Sequence, residues 1–197
     1  MSKEAIYHFN EADKIDSGTR TVCYRVENHV YKITDRLLTI NRANRMLTEV
    51  TKDNDLVTKW IGDYVVPTNF EISKNRRGYF VVIKQPFVEG VSMREVLTEP
   101  KYKNSDNTKI ADFLQRSLLF YRNTGQIPDL FGRPHPTGWY DLTTTPNVKV
   151  ELLDNVLTPW LVDTGLTRLS KNRFTGPIHN KMLAQNVEKI ILKLTTI

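Results

Sequence analysis

The chain has 197 residues, 40% of them hydrophobic and 10% aromatic, which is enough to bury a core and too apolar for a disordered chain. Lys and Arg number 28 against 22 Asp and Glu, a net charge of +6 carried singly or in pairs such as Arg76-Arg77; this fits either a solvated basic surface or attraction to phosphate, in a nucleotide or in nucleic acid. No apolar run reaches the roughly 18 residues of a membrane span, the opening stretch MSKEAIYHFNEADKID has no apolar signal core, and the single Cys23 cannot close an internal disulfide, so a cytoplasmic protein is expected.

In chain order, TVCYRVENHVYKIT (21–34) alternates Val22, Tyr24 and Val26 with Thr21, Cys23 and Arg25, which predicts two short strands around a turn at Glu27-Asn28. Residues 41–62 carry Met46, Leu47, Val50, Val57, Trp60 and Ile61 at helical spacing and end on Gly62. GYFVVIKQ (78–85) is a β-branched and aromatic run that reads as a buried strand. Ser92-Met93-Arg94-Glu95, just after Gly90, matches a capping box and predicts a short helix. In TKIADFLQRSLLFYR (108–122), Ile110, Leu114, Leu118 and Tyr121 share one helical face. NVKV (147–150) and WLVD (160–163) read as a strand pair, and 180–194 as a closing helix with Leu183, Val187, Ile190, Ile191 and Leu194 inward. The order predicts an α+β chain, sheet-rich at first and helical later, joined through KQPFVEGVS (84–92), with a ligand expected between the halves.

Two features point to phosphate chemistry. Lys32 lies between apolar neighbours in VYKI, where an ammonium costs free energy unless something neutralises it; Glu49, at the edge of the next helical stripe, is a candidate partner, and Gly18 precedes the first strand. At the far end, Asn147 opens the late hairpin and Asp163 closes it. A hairpin brings its ends together, so an amide oxygen and a carboxylate converge as hard donors suited to Mg²⁺. Gly165 is expected to let the chain turn away directly after Asp163.

The series SGTRTVCYRV, Lys32 in VYKI, Glu49, the hinge-like VIKQPFVEGVSMREVL, TGQIPDL after the long helix, TPNVKV and LVDTGL resembles, in order, the parts of the protein-kinase-like superfamily over residues 16–170. The resemblance implies a two-lobed fold with a small sheet-rich N-lobe (1–86) and a much reduced helical C-lobe (87–197). It implies an ATP- and Mg²⁺-dependent transfer of the γ-phosphoryl group to a protein or small-molecule hydroxyl. Lys32 would hold the α and β phosphates and pair with Glu49. Gly18, Gln85 and Phe87 would contact the nucleotide, Asn147 and Asp163 would hold the metal, and Asp129 would orient or deprotonate the attacking hydroxyl. The sequence departs from the family where only Gly18 remains of the glycine loop, where Ile127-Pro128-Asp129 replaces His-Arg-Asp, where FGRPHPTGWYDLTT (131–144) would be an insertion in the catalytic loop, and where Thr164 replaces the phenylalanine after the metal aspartate. Asp141, in WYDLTTTPN, competes with Asp129 for the base role.

Each feature has a structural reading beside the functional one. Lys32 also fits a cation reaching water from an edge strand, Glu49 a solvated helix residue, and Asp163, Asn147, Asp129 and Asp141 turn caps. Cys23 reads as a packed thiol, His135 as a loop residue between prolines, and no zinc spacing, Walker A or Rossmann fingerprint occurs. Two rivals stand beside an active kinase: a pseudokinase serving as a binding or regulatory module, and a basic nucleic-acid-binding protein.

Overall fold

The alternation at 21–34 forms an antiparallel hairpin in a computed structural model that describes residues 9–10, 13–17, 21–34, 36–130, 147–166, 173–174 and 176–195. Strands β1 (Lys14–Ser17), β2 (Thr21–Val26), β3 (His29–Thr34), β4 (Asn69–Asn75) and β5 (Gly78–Pro86) make one antiparallel sheet in the order β1-β2-β3-β5-β4. Glu27 turns the β2–β3 hairpin at φ 53°, and the register sets Lys32 opposite Cys23 on one side and Ile83 on the other. Successive residues of a strand face opposite ways. Val81 and Val82 of β5 are both buried, so this inner strand is covered on both faces.

Helix α1 (Ile40–Ile61) follows the predicted stripe closely and runs into a 3-10 turn at Gly62–Tyr64. Then come β6 (Val91–Ser92), α2 (Met93–Thr98), α3 (Thr108–Thr124), β7 (Val148–Leu153), β8 (Val156–Leu161) and α4 (Gly176–Thr195). Strands β6, β7 and β8 form a second antiparallel sheet in that order. The fold is thus mixed α+β with antiparallel sheets.

The chain divides into two compact units, Met1–Lys52 with Val66–Phe87, and Asp53–Val65 with Val88–Ile197. Among the described residues of the first, the buried apolar side chains are Val30, Ala43, Val66, Val81 and Val82. The second holds one continuous core. Helix α3 contributes Ile110, Phe113, Leu114, Leu118 and Phe120, and α4 packs on it through Leu183, Val187, Ile190 and Leu194. These are the apolar faces that the 3.6-residue period picks out. Among the described residues, no helix is long and apolar enough to cross a membrane.

Candidate functional site

The late hairpin is longer than its sequence signal. Strands β7 and β8 pair from Val148↔Leu161 to Leu153↔Val156 around Asp154 and Asn155, at φ 51° and 64°. Two left-handed residues in a two-residue loop match the twist of the strands, and Asp and Asn tolerate that conformation. At the open end, Val162 N–H donates to the Asn147 carbonyl at 2.9 Å, which sets Asn147 opposite Val162, the residue just before Asp163. The Asp163 carboxylate then accepts the Gly165 N–H at 3.0 Å, folding back over the backbone. Gly165 serves here through its missing side chain: a Cβ would stand 3.1 Å from Asp163 Oδ1. Its φ is not among the positive ones.

Helix α3 delivers the third group. It ends on Gly125 in the left-handed region, φ 69°, whose N–H caps the Tyr121 carbonyl at 2.8 Å. The chain then runs through Ile127 and Leu130, both buried, which hold the half-buried Asp129 between them. Asp129 N–H donates to the Gly165 carbonyl at 3.2 Å, and the Asn147 side-chain amide donates to the Asp129 carbonyl at 2.7 Å. Three segments far apart in sequence are therefore tied together: the post-α3 loop, the start of β7 and the turn after β8. With its amide nitrogen spent on Asp129, Asn147 keeps its Oδ1 as an oxygen donor.

Two anchors of this cluster escaped the sequence reading. The buried Thr164 hydroxyl donates to Asn54 Oδ1 at 3.0 Å, and Leu166 N–H approaches Asp53 Oδ2 at 3.4 Å. Both partners lie on α1, half-buried. The signal was present as a gap: the apolar stripe skips from Val50 to Val57, and polar Asp53 and Asn54 stand where the period asks for apolar residues.

The other candidates lie in the first unit. Lys32 is half-buried on β3, and Glu49 is exposed on α1. Gln85 is buried on β5, paired with Val30. Phe87 donates its N–H to the Asn28 carbonyl at 2.8 Å, and the Arg25 guanidinium lies over its ring at 3.6 Å, so both its backbone donor and one ring face are engaged within this unit. Gly18, His135 and Asp141 lie outside the described residues. Among the described residues, no three or more His, Cys, Asp or Glu side chains cluster as a metal site.

The mixed α+β architecture has a kinase-like counterpart among solved structures. A Legionella pneumophila kinase, Lpg2603, solved bound to IP6, is similar to this chain with a TM-score of 0.53 at 16% identity. The match covers 92% of this chain, which spans 60% of the length of that one. No family model matches the sequence, and no curated protein matches it.

Proposed function

We propose that the chain is a kinase-like protein, a sheet-rich N-lobe (1–86) with a reduced helical C-lobe (87–197), that binds ATP with Mg²⁺ and transfers the γ-phosphoryl group to a hydroxyl of a protein or small molecule. The observation that carries this reading is the cluster of Asp129, Asn147 and Asp163 drawn together by the bonds at 2.7, 2.9, 3.0 and 3.2 Å. The likeness to a solved kinase supports it at the level of fold.

The donor set fits the metal. Asn147 Oδ1 and the Asp163 carboxylate are hard oxygen ligands, and Mg²⁺ is commonly held by one or two protein oxygens with water and phosphate completing its shell. When bound, the ion neutralises charge on the phosphates. Lys32 takes phosphate oxygens, Glu49 orients the Lys32 ammonium, and Gly18, Gln85 and Phe87 hold the nucleotide. Asp129 orients the acceptor hydroxyl and accepts its proton as the new O–P bond forms and the bond to the β-phosphate oxygen breaks. Positioning and charge neutralisation carry most phosphoryl-transfer catalysis, so a short list of groups suffices. Asp53 and Asn54 act indirectly, by fixing the segment that bears Asp163.

A second reading, a non-catalytic binding module of the same fold, draws on the loop before Asp129. Buried Ile127 and Pro128 replace the polar pair that precedes the aspartate in the kinase pattern.

The test is thermal. Mg-ATP at millimolar concentration is expected to raise the melting temperature of the wild-type chain, since a ligand that binds only the folded state stabilises it by mass action. Asp163→Asn should remove that increment while leaving the melting temperature without ligand near wild type. An equal increment in the variant rejects the assignment of Asp163. Given binding, transfer of labelled phosphate to generic hydroxyl acceptors, lost in Asp129→Asn, separates the enzyme from the binding module.

A further inference from the structure

Positive charge is concentrated in the first unit. Met1–Lys52 and Val66–Phe87 contain 13 Lys and Arg against 8 Asp and Glu, which is +5 of the chain's +6. Part of that excess gathers at the start of α1. Its first turn has no acidic residue, and the exposed Arg42 and Arg45 line a groove of about 470 Å³ with Thr39 and Asn41. A cation in the first turn of a helix opposes the macrodipole. Arg42 stands in that turn and Arg45 follows one turn on, so Arg42 needs a reason beyond helix stability.

A second pair of arginines approaches from the sheet. Leu38 and Tyr79 exchange backbone hydrogen bonds of 2.7 and 3.0 Å in antiparallel register, which runs the chain from Thr39 into α1 alongside Gly78 and Arg77. Arg76 and Arg77, exposed, form the β4–β5 turn at that point. The approach is close: a Cβ on Gly78 would lie 3.2 Å from the Leu38 carbonyl oxygen. Among the described residues, none of the four guanidinium groups makes an ion pair, hydrogen bond or ring contact, whereas Arg25 lies on Phe87 and Arg116 is bonded to Asp112.

We propose that this arginine cluster binds a compact oligophosphate, a small ligand with several linked or neighbouring phosphate groups. Guanidinium forks match phosphate oxygens bidentately, and several unneutralised forks in one place call for a ligand of several charges. The groove has the size of a small-molecule site. Among the described residues, no aromatic side chain lines it, and single-stranded nucleic acid uses such a stacking platform. The cluster shares no residue with the Asp129–Asn147–Asp163 group, and the proposal does not depend on the nucleotide reading.

The experiment is calorimetric titration of the full chain with sodium tripolyphosphate, without Mg²⁺, at about 0.15 M salt. Saturable binding is expected, at least tenfold tighter than orthophosphate. It should weaken at least tenfold in Arg42→Gln/Arg45→Gln, fall less in Arg76→Gln/Arg77→Gln, and persist in Asp163→Asn and in the surface control Lys103→Gln. All four arginines are exposed, so melting temperatures should hold; if the glutamine double variant does not fold, Arg42→Lys/Arg45→Lys, which keeps charge and loses the fork, must still bind more weakly than wild type. The proposal is overturned by absent saturable binding, by unchanged affinity in the arginine variants, or by loss in Asp163→Asn, which would move the ligand to the nucleotide residues. Tighter, Arg42- and Arg45-dependent binding of a short single-stranded RNA than of tripolyphosphate would also overturn it, in favour of nucleic acid.

Discussion

Tyr64 shows how single residues couple distant parts of the second unit. Its hydroxyl donates to Asp112 Oδ2 at 2.8 Å, Arg116 Nε donates to the same oxygen at 2.9 Å, and its ring meets Phe113 edge-on at 5.8 Å between centroids. Burial, then the hydrogen bond and charge of Asp112, push the Tyr64 pKa up to about 12. Burial works to raise the Asp112 pKa, but the bonds from Arg116 and Tyr64 outweigh it and hold the carboxyl below its ordinary value. The signs are opposite and so are the pH windows. Tyr64 keeps its proton longer in the folded chain, so its contribution is whole below about pH 10 and drains away between about 10 and 12. Asp112 is ionised more readily when folded, so its contribution is present above about pH 4 and is lost as pH falls further. Tyr64→Phe should therefore show a shallower loss of melting temperature between pH 10 and 12 than wild type. Parallel curves for the two proteins would remove Tyr64 from the account. Asp129, Asn147 and Asp163 were singled out because their order along the chain carries a resemblance, and hydrogen bonds tie their three segments together. Asp53 and Asn54 were not, because their partners Leu166 and Thr164 lie more than a hundred positions away, and sequence periodicity reports only the helix that bears them.

At the scale of elements, helix α2 tests how far local chemistry governs. Ser92 has extended backbone, and its side chain accepts the Glu95 N–H at 3.2 Å, which is the first half of the predicted capping box. Glu95 turns its carboxylate to Lys101 at 3.4 Å. A side-chain cap is worth about 1 kcal/mol, and glycine at the same position costs only a few tenths. Ser92→Ala should thus cost about 1 kcal/mol in urea unfolding, and Ser92→Gly clearly less. The reverse order would mean that the Ser92 hydroxyl contributes through something other than the cap. Helices α1, α3 and α4 were legible because a buried stripe repeats over three or more turns. Strand β4 was not read at all. Its sequence, NFEISKN, buries Ser73 and leaves Phe70 and Ile72 partly exposed, and it becomes a strand by pairing with β5 through the Asn75–Gly78 turn. Here the Asn75 side chain accepts the N–H groups of Arg77 and Gly78 at 2.9 and 3.1 Å. Strand β1 is a similar case, four residues held at the sheet edge by β2. Strand propensity is mostly a matter of neighbours, and the neighbours are absent from a single sequence.

For the whole molecule, the two units differ in what holds them. The continuous core cluster runs from Val57 to Leu194 and lies entirely in the second unit, where α3 and α4 press Phe113, Leu114, Val187 and Ile190 together at 2% exposure or less. The first unit relies on ladder hydrogen bonds and a handful of valines around β5, and it carries most of the net positive charge. Local opening free energies follow buried apolar contact, from near zero at loose edges to the global value in a core. Like charge gathered on a thinly packed unit lowers its stability further, and an anionic ligand offsets both effects. Hydrogen exchange should therefore rank the backbone amides: slowest in α3 and α4, intermediate in β3 and β5, fastest in β1. Tripolyphosphate should slow exchange at the start of α1 and in the β4–β5 turn, and leave α3 and α4 unchanged. Mg-ATP should instead slow exchange around Asp129, Asn147 and Asp163, and in Asp163→Asn that second pattern should vanish while the first remains. Equal protection in both units without ligand would show that the smaller one borrows its stability from the larger, and the thin-core argument would then be wrong.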